Sequence, residues 1–392
     1  MAKSKYFDIK NTLKQAPDCK YYVIFGERSN GKSYSTLSYF IEDFFKSGFK
    51  KAFAYLRRWR EDIKIANLNE VFKSIESNDN GINNIELITK GQYNHVHLNQ
   101  YKYYLSKIDD NGEIIDIVNE PMGYIFCLSE SERKKSTGYP SVHHILLEEF
   151  ISEGLPMLNE FIHFKSIIST IVRNDDKADI FLLGNTINKY NVYFTEFGLK
   201  NAKNQKKNTI DIYQYQSDDG RILNLACEYA DFPDRKNTKK SNIYWAFNNK
   251  DNAMIINGEW QIKAYPHLEY YYVHKDIKLI YFIKFDNEIF QCEIIKVNDN
   301  KETRIINDTD TIYSNKNVLF TYIHEKTTPI KYPHKHYIYQ EKADSHHNYK
   351  IGIGCSNDEL DRFIASFFYD NKVFYQDNNV GNAIESYLNL YK

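Results

Sequence analysis

Little in this chain of 392 residues points to covalent or metal cross-linking. Its five cysteines, Cys19, Cys127, Cys227, Cys292 and Cys355, lie far apart, and none forms a C-x-x-C pair. That excludes a disulfide framework and predicts free thiols in a reducing compartment. No stretch approaches the roughly 18 uninterrupted apolar residues of a membrane span, and the opening MAKSKYFDIKNTLKQ has no apolar run of the kind a secretory signal needs. A soluble intracellular protein with no membrane contact is therefore expected. An excess of either charge is also missing, with 51 Lys and Arg against 52 Asp and Glu. Net charge names no partner, so any grip on nucleic acid must come from local patches repeated in an oligomer. There is no internal repeat and no low-complexity tract, only a bias to Asn, Lys and Tyr. What the chain does have is apolar mass: 42% of residues are apolar and 16% aromatic. A large core can be built, and disorder is excluded as the main state.

The first 200 residues alternate strand-like and helix-like runs, which predicts an α/β layer architecture with a mostly parallel sheet. Tyr21 to Phe25 reads as a strand, and Leu37, Phe40, Ile41, Phe44 and Phe45 recur at helical spacing until Gly48. Ala52 to Leu56, Gly123 to Leu128, Val142 to Leu147 and Ile180 to Leu183 are further buried strands, and Leu158, Phe161, Ile162, Ile168 and Ile171 mark a helix between the last two. Tyr93 to Val118, with its hairpin signal Asp109-Asp110-Asn111-Gly112, reads as an insertion. From 201 to 240 the apolar pattern thins, as expected of a lid or linker. Residues 241–392 form a smaller α+β domain, with strands around Lys278 to Val297 and helices over Asp358 to Phe368 and Ala383 to Tyr391.

The sharpest motif is Gly26-Glu27-Arg28-Ser29-Asn30-Gly31-Lys32-Ser33, which satisfies G-x-x-x-x-G-K-[ST] between a strand and a helix. The spacing has a chemical reason. The loop turns its backbone N–H groups onto a polyphosphate, and side chains at Gly26 and Gly31 would obstruct the wrap. Lys32 brings a point charge to the β- and γ-phosphates, and the Ser33 hydroxyl is a ligand for Mg²⁺. The helix N-terminus adds partial positive charge. ATP and Mg²⁺ are the expected cofactors.

Such a loop needs a carboxylate, and Ile145-Leu146-Leu147-Glu148-Glu149 offers two at the end of a buried strand. Glu148 is expected to hold the metal, and Glu149 to act as general base on the attacking water. Asn185, at the tip of the neighbouring strand, can sense the γ-phosphate or hold that water. The stretch Asn188-Lys189 to Asn191 lacks the aspartate that reads guanine, which disfavours a GTPase.

These segments resemble the DNA-packaging ATPases (encapsidation proteins) of phi29-type podoviruses. The likeness is carried by the phosphate loop, by Tyr55-Leu56-Arg57-Arg58, and by Leu128-Ser129-Glu130 with Arg133-Lys134-Lys135. Ile145 to Phe150 and Leu183-Gly184-Asn185 to Asn191-Val192-Tyr193-Phe194 complete it. It covers about the first 200 residues and is much weaker beyond. The resemblance implies an ASCE-type P-loop core in a ring, typically pentameric, at the portal vertex of a procapsid in the host cytoplasm, pumping double-stranded DNA. It implies a C-terminal domain like an RNase H nuclease, usually inactive, and in some members a packaging RNA between motor and shell. Glu148 stands where an aspartate is usual, which bears only on metal ligation. A nucleotide-gated DNA- or RNA-binding module and a general helicase-type ATPase are the alternatives.

Ring motors complete each site with a neighbour's cation. Arg173, ending the helix after the acidic strand, is the first candidate, with a cation on a helix C-terminal dipole as the plain alternative. Lys134 and Lys135 are the second. For Arg57 and Arg58 a structural salt bridge and a phosphate contact stand equal. Lys200, Lys203, Lys206 and Lys207, with Arg235, Lys236, Lys239 and Lys240, are the sustained basic stretches, either facing the DNA channel or forming an exposed linker. His334, His336, His346, His347 and Cys355 match no zinc spacing. Asp286, Asp358, Glu359 and Asp361 are the nearest to a nuclease carboxylate set.

Overall fold

The computed structural model describes residues 6–78, 80–134, 138–151, 157, 159–173, 177–186, 190–230, 265–268, 272–285, 288–296, 319–326, 337–343, 349–353 and 358–389. The chain divides into two compact units, Met1–Gln261 and Ile262–Lys392.

In the first unit, α1 (Ile9–Gln15) precedes β1 (Tyr21–Gly26), α2 (Lys32–Lys46) and β2 (Ala52–Arg57). Three short helices follow: α3 (Ile65–Glu70), α4 (Lys73–Glu76) and α5 (Asn84–Ile88). Next come β3 (His95–Asn99), β4 (Lys102–Ile108), β5 (Ile114–Ile117), β6 (Gly123–Cys127), β7 (Val142–Glu148) and α6 (Glu160–Val172). The unit closes with β8 (Asp179–Asn185), α7 (Val192–Glu196), β9 (Thr209–Gln216) and β10 (Ile222–Ala230). All ten strands form one sheet, in the order β3-β4-β6-β2-β7-β8-β1-β10-β9 with β5 on β4. From β6 to β10 every neighbouring pair is parallel, and antiparallel strands close both ends.

The central strands are buried on both faces, which is why Tyr21 to Phe25 and Val142 to Leu147 read as near-continuous apolar runs. On one face α2 lays Leu37, Phe40, Ile41 and Phe44 against Tyr22, Ile24 and Phe53. On the other, α6 and α7 bring Phe164, Ile167, Tyr193 and Phe194 onto Val23, Phe25 and Leu147. Each buried phenylalanine of this kind contributes roughly 1.5–3 kcal/mol. The result is a helix–sheet–helix sandwich. Gly48 (φ 65°) lets the chain turn out of α2.

Several expectations need correcting. Of the stretch 201–240, read as a lid or linker, residues 201–230 supply β9 and β10, with β10 beside β1 in the sheet of the first unit, and 231–240 lie outside the described residues. Its polar pattern arises because β9 is an edge strand, with Ile212 exposed and every second side chain half-buried. The boundary between the units falls at Gln261 and Ile262, beyond both 200 and 240. In α6 the inward residues are Phe161, Phe164, Ile167 and Ile171, whereas Ile162 is 38% exposed. The insertion is present as β3, β4 and β5, with Asp109 accepting from the N–H groups of Asn111 and Glu113 at its turn.

The second unit has β11 (Ile277–Phe285), β12 (Glu288–Lys296), β13 (Leu319–Glu325), β14 (Tyr337–Ala343), β15 (Tyr349–Ile353), α8 (Asp358–Tyr369), β16 (Val373–Tyr375) and α9 (Asn378–Asn389). Its sheet runs β15-β14-β11-β12-β13-β16. Strands β11, β12 and β13 form an antiparallel meander, and β14 joins β11 in parallel. The Tyr339 hydroxyl donates to Asp361 at 2.6 Å, tying α8 to the sheet. Lys135, Arg235, Lys236, Lys239, Lys240, Asp286, His334, His336, His346, His347 and Cys355 lie outside the described residues, as do the side chains of Arg133, Lys134 and Asp358.

Candidate nucleotide site

Because β1, β2, β7 and β8 are parallel, their C-terminal ends share one edge of the sheet, where ligands of open α/β sheets bind. Gly26 ends β1, Arg57 ends β2, Glu148 ends β7 and Asn185 ends β8. Gly26 pairs with Asn185, and Leu183 pairs with Glu148. One strand thus separates the loop strand from the acidic strand.

The phosphate loop is drawn tight. A Cβ on Gly26 would come within 1.9 Å of the Ala230 carbonyl oxygen, so only glycine fits. Asn30 donates through Nδ2 to that same carbonyl at 3.2 Å. Gly31 (φ 91°) is the N-cap of α2 and makes no side-chain cap, so the first N–H groups of a 15-residue helix face the loop. Lys32 is buried, and its Nζ donates to the carbonyls of Glu27 (2.7 Å) and Gly26 (3.3 Å) and to Oδ1 of Asn30 (3.1 Å) and Asn185 (3.4 Å). The ammonium is curled into a ring of oxygens from its own loop and from Asn185. Ser33 follows in the first turn of α2, Arg28 and Ser29 (φ 57°) are exposed at the loop tip, and Glu27 is buried.

The acids meet an arginine. Leu56 pairs with Leu147, which sets Arg57 beside Glu148. Arg57 donates to Glu149 at 2.8 Å and to Glu148 at 3.5 Å, and Asp62 lies 3.8 Å from its Nε. The Tyr55 hydroxyl also donates to Glu148. Burial alone would lower the pKa of the Arg57 guanidinium, but Tyr55, Glu149, Glu148 and Asp62 around it drive it up, so the cation is secure. Burial first, and then the Glu148 charge, keep Tyr55 protonated far above the ordinary range. Glu149 itself sits at φ 58°. This left-handed conformation costs a non-glycine residue about 1–2 kcal/mol and marks a position held by its surroundings.

What holds it is Arg58. The guanidinium clamps Glu160 through two bonds (Nε, 2.9 Å; Nη2, 2.8 Å) and donates to the carbonyls of Glu149 (3.3 Å) and Phe150 (2.9 Å). The two arginines therefore differ: Arg58 is a buried structural cation, and Arg57 is the one at the acids. Neighbouring residues on a strand face opposite ways, so Tyr55 and Arg57 share the side that Arg58 does not. That alternation was the available signal for the Tyr55–Arg57–Glu148 group, which sequence reasoning missed.

Arg173 lies elsewhere. It caps the C-terminal end of α6, exposed, with φ 49°. Helix α6 runs back from the carboxyl edge toward the start of β8, and the Arg173 guanidinium lies beside Gly138, which precedes β7. It therefore stands at the amino edge, away from its own phosphate loop. Asn191 has a structural task, capping α7 by accepting from the N–H of Phe194 at 3.1 Å.

The oxygen donors Ser33 and Glu148 suit a hard cation such as Mg²⁺. Among the described residues no three of His, Cys, Asp or Glu gather into a metal cage. Among those residues no helix is long and apolar enough to cross a membrane.

The mostly parallel sheet, the tight glycine loop and the helix that starts from it define an α/β protein with a P-loop-like core. A family model for the podovirus DNA encapsidation protein (Gp16) matches residues 1–286, and the chain belongs to that family. The DNA packaging proteins of Bacillus phages phi29 and PZA are each 28% identical to it over 195 residues, covering 48% of this chain and 49% of theirs. That of Bacillus phage B103 is 26% identical over 190 residues, covering 47% and 50%. The chain thus spans about half the length of the curated relatives it matches. In the bacteriophage Phi-29 viral genome packaging motor assembly, a chain with 18% identity superposes at a TM-score of 0.53, covering 99% of this chain and 100% of that one. At that identity the likeness is one of fold.

Proposed function

We propose that this protein is a Mg²⁺-dependent ATPase that drives double-stranded DNA into a viral procapsid. The observation that carries this reading is the meeting on one sheet edge of Lys32, Asn185 and the Glu148–Glu149 pair, in a chain of the encapsidation family. The order β10-β1-β8-β7-β2 supports an ASCE-type core. Gly26 to Ser33 wrap the phosphates, with Lys32 leaving its loop carbonyls for the β- and γ-oxygens. Ser33 and Glu148 would hold Mg²⁺, which when bound supplies charge neutralisation on the phosphate oxygens. Glu149 takes the proton of the attacking water, and Arg57 holds that carboxylate until nucleotide enters. Asn185 reports the γ-phosphate to Lys32, with which it already shares a hydrogen bond.

Arg173, at the edge away from its own loop, serves a neighbouring subunit in a ring, pentameric by family likeness, at the procapsid portal. Some relatives of this kind also engage a packaging RNA there, in the host cytoplasm. The meander β11–β13 with β14 parallel to β11 supports an RNase H-like second unit. By family likeness it is a vestigial nuclease.

The test is Glu149→Gln. ATP binding should persist within a few-fold while steady-state hydrolysis, DNA-stimulated in the wild type, is abolished. Hydrolysis at the wild-type rate would end the assignment of the base.

A further inference from the structure

The lysines between α7 and β9 stand on a pinned backbone. Ala202 and Gln205 are buried. Gln205 Nε2 donates to the carbonyls of Cys227 (2.8 Å) and Thr209 (3.0 Å), and the N–H of Asn208 donates to Tyr229 at 2.7 Å. Two of the ammonium groups are steered by rings, with Lys203 4.2 Å from the centroid of Tyr190 and Lys207 5.9 Å from that of Tyr229. Lys200 and Lys206 are exposed, as are Asn201, Asn204 and Asn208. From Glu196 to Asp211 four lysines face two acids, and Asp211 is engaged by Asn201 at 2.7 Å. The outcome is a rigid shelf of cations and amides, with donors at every second or third residue.

Its place matters as much as its charge. Thr209 pairs with Tyr229 and Phe25 pairs with Tyr229, so the shelf enters β9 two strands from the phosphate loop, about 10 Å away on the same sheet edge. The end of β10 is bonded from both sides. Asn30 of the loop holds the Ala230 carbonyl, while Asn208 and Gln205 hold those of Tyr229 and Cys227. The strand end that anchors the shelf is thus bonded to the phosphate loop as well.

We propose that Lys200, Lys203, Lys206 and Lys207, on a segment bonded to the end of β10, form a contact surface for the phosphates of duplex DNA. This rests on the DNA-packaging reading and deepens it by naming the contact. A motor indifferent to sequence needs backbone contacts of this kind, without base-reading side chains.

The experiment measures binding of a random-sequence duplex to the full chain across a salt series. Each phosphate contact contributes about 0.9 to the slope of log K against log salt. Lys200→Gln/Lys206→Gln should flatten the slope by about 1.8 and the quadruple Gln variant by about 3.6, with unchanged thermal midpoints. The quadruple Arg variant should keep the slope, because charge and not lysine packing is at issue. Unaltered slopes in the Gln variants, beside a wild type that binds, would overturn this surface and leave the packaging reading standing. Loss of RNA binding alone, with duplex DNA unaffected, would overturn it as well. A wild type that hydrolyses ATP yet binds no duplex would overturn both.

Discussion

Removing the Arg58 guanidinium should be among the most damaging single changes in the first unit, for reasons that can be worked from its contacts. Its partner Glu160 has a side chain only 1% exposed and takes two bonds from Arg58, with a third from the N–H of Met157 at 3.0 Å. Arg58→Met leaves that carboxylate buried without its cation, a loss of about 3–5 kcal/mol. For a unit of this size each kcal/mol moves the thermal midpoint by about 2–4 °C, so a fall of roughly 6–20 °C is expected. Arg58→Met/Glu160→Leu should recover most of it, since an ion pair replaced whole by apolar residues is often near neutral. Hydrolysis should stay low in the double variant, because the bonds to the Glu149 and Phe150 carbonyls are still missing. Circular dichroism melts and a phosphate-release assay read the two effects separately. A midpoint loss equivalent to less than about 1 kcal/mol in the single variant would refute the buried-charge argument.

Three further outcomes follow from the same geometry. Glu149→Gly should abolish turnover yet leave stability unchanged or raised by about 1 kcal/mol, because the left-handed conformation at φ 58° no longer carries a penalty; a destabilised variant would contradict that strain. Glu228, on β10, has its carboxyl pushed by burial from 4.5 up to about 7, against the opposing pull of the Thr12 hydroxyl at 2.6 Å. The folded state therefore holds a proton that the unfolded chain releases above about pH 4.5. The stability this brings, about 3 kcal/mol, is complete below that pH and fades as pH rises through 7. Glu228→Gln should flatten the dependence in denaturation series between those values, and parallel wild-type and variant curves would refute the assignment. For Arg173, inactive Glu149→Gln subunits mixed with inactive Arg173→Ala subunits should regain hydrolysis, and no recovery at any ratio would deny it a role between subunits.

The parts of this site that were legible in the sequence are those where chemistry dictates spacing. Gly26 is forced by close backbone approach and Gly31 by its φ of 91°, and the run before Glu148 is apolar because β7 is buried on both faces. Asn185 could be placed because its strand reads the same way. The edge of the sheet was opaque: Asp211, Gln214, Gln216 and Asn224 give β9 and β10 the composition of a linker, and only the pairing of β10 with β1 and of β9 with β10 declares them strands. Arg57 and Arg58 illustrate a second limit. Arg57 ends β2 and Arg58 follows it; alternation puts them on opposite sides, but which side meets the acids depends on the register of β2 against β7, a long-range fact. The outward turn of Ile162 has a similar cause, since one position in the helical period decides between core and solvent.

The most direct measurement is a structure of the protein with Mg²⁺ and a non-hydrolysable ATP analogue. The expected result is triphosphate density inside the Gly26–Ser33 loop, Lys32 Nζ moved from the Glu27 carbonyl onto phosphate, and the carboxylates at 148 and 149 turned from Arg57 toward the metal and the γ-phosphate. Nucleotide bound elsewhere, or Lys32 still folded onto its own loop with both acids held by Arg57, would contradict it.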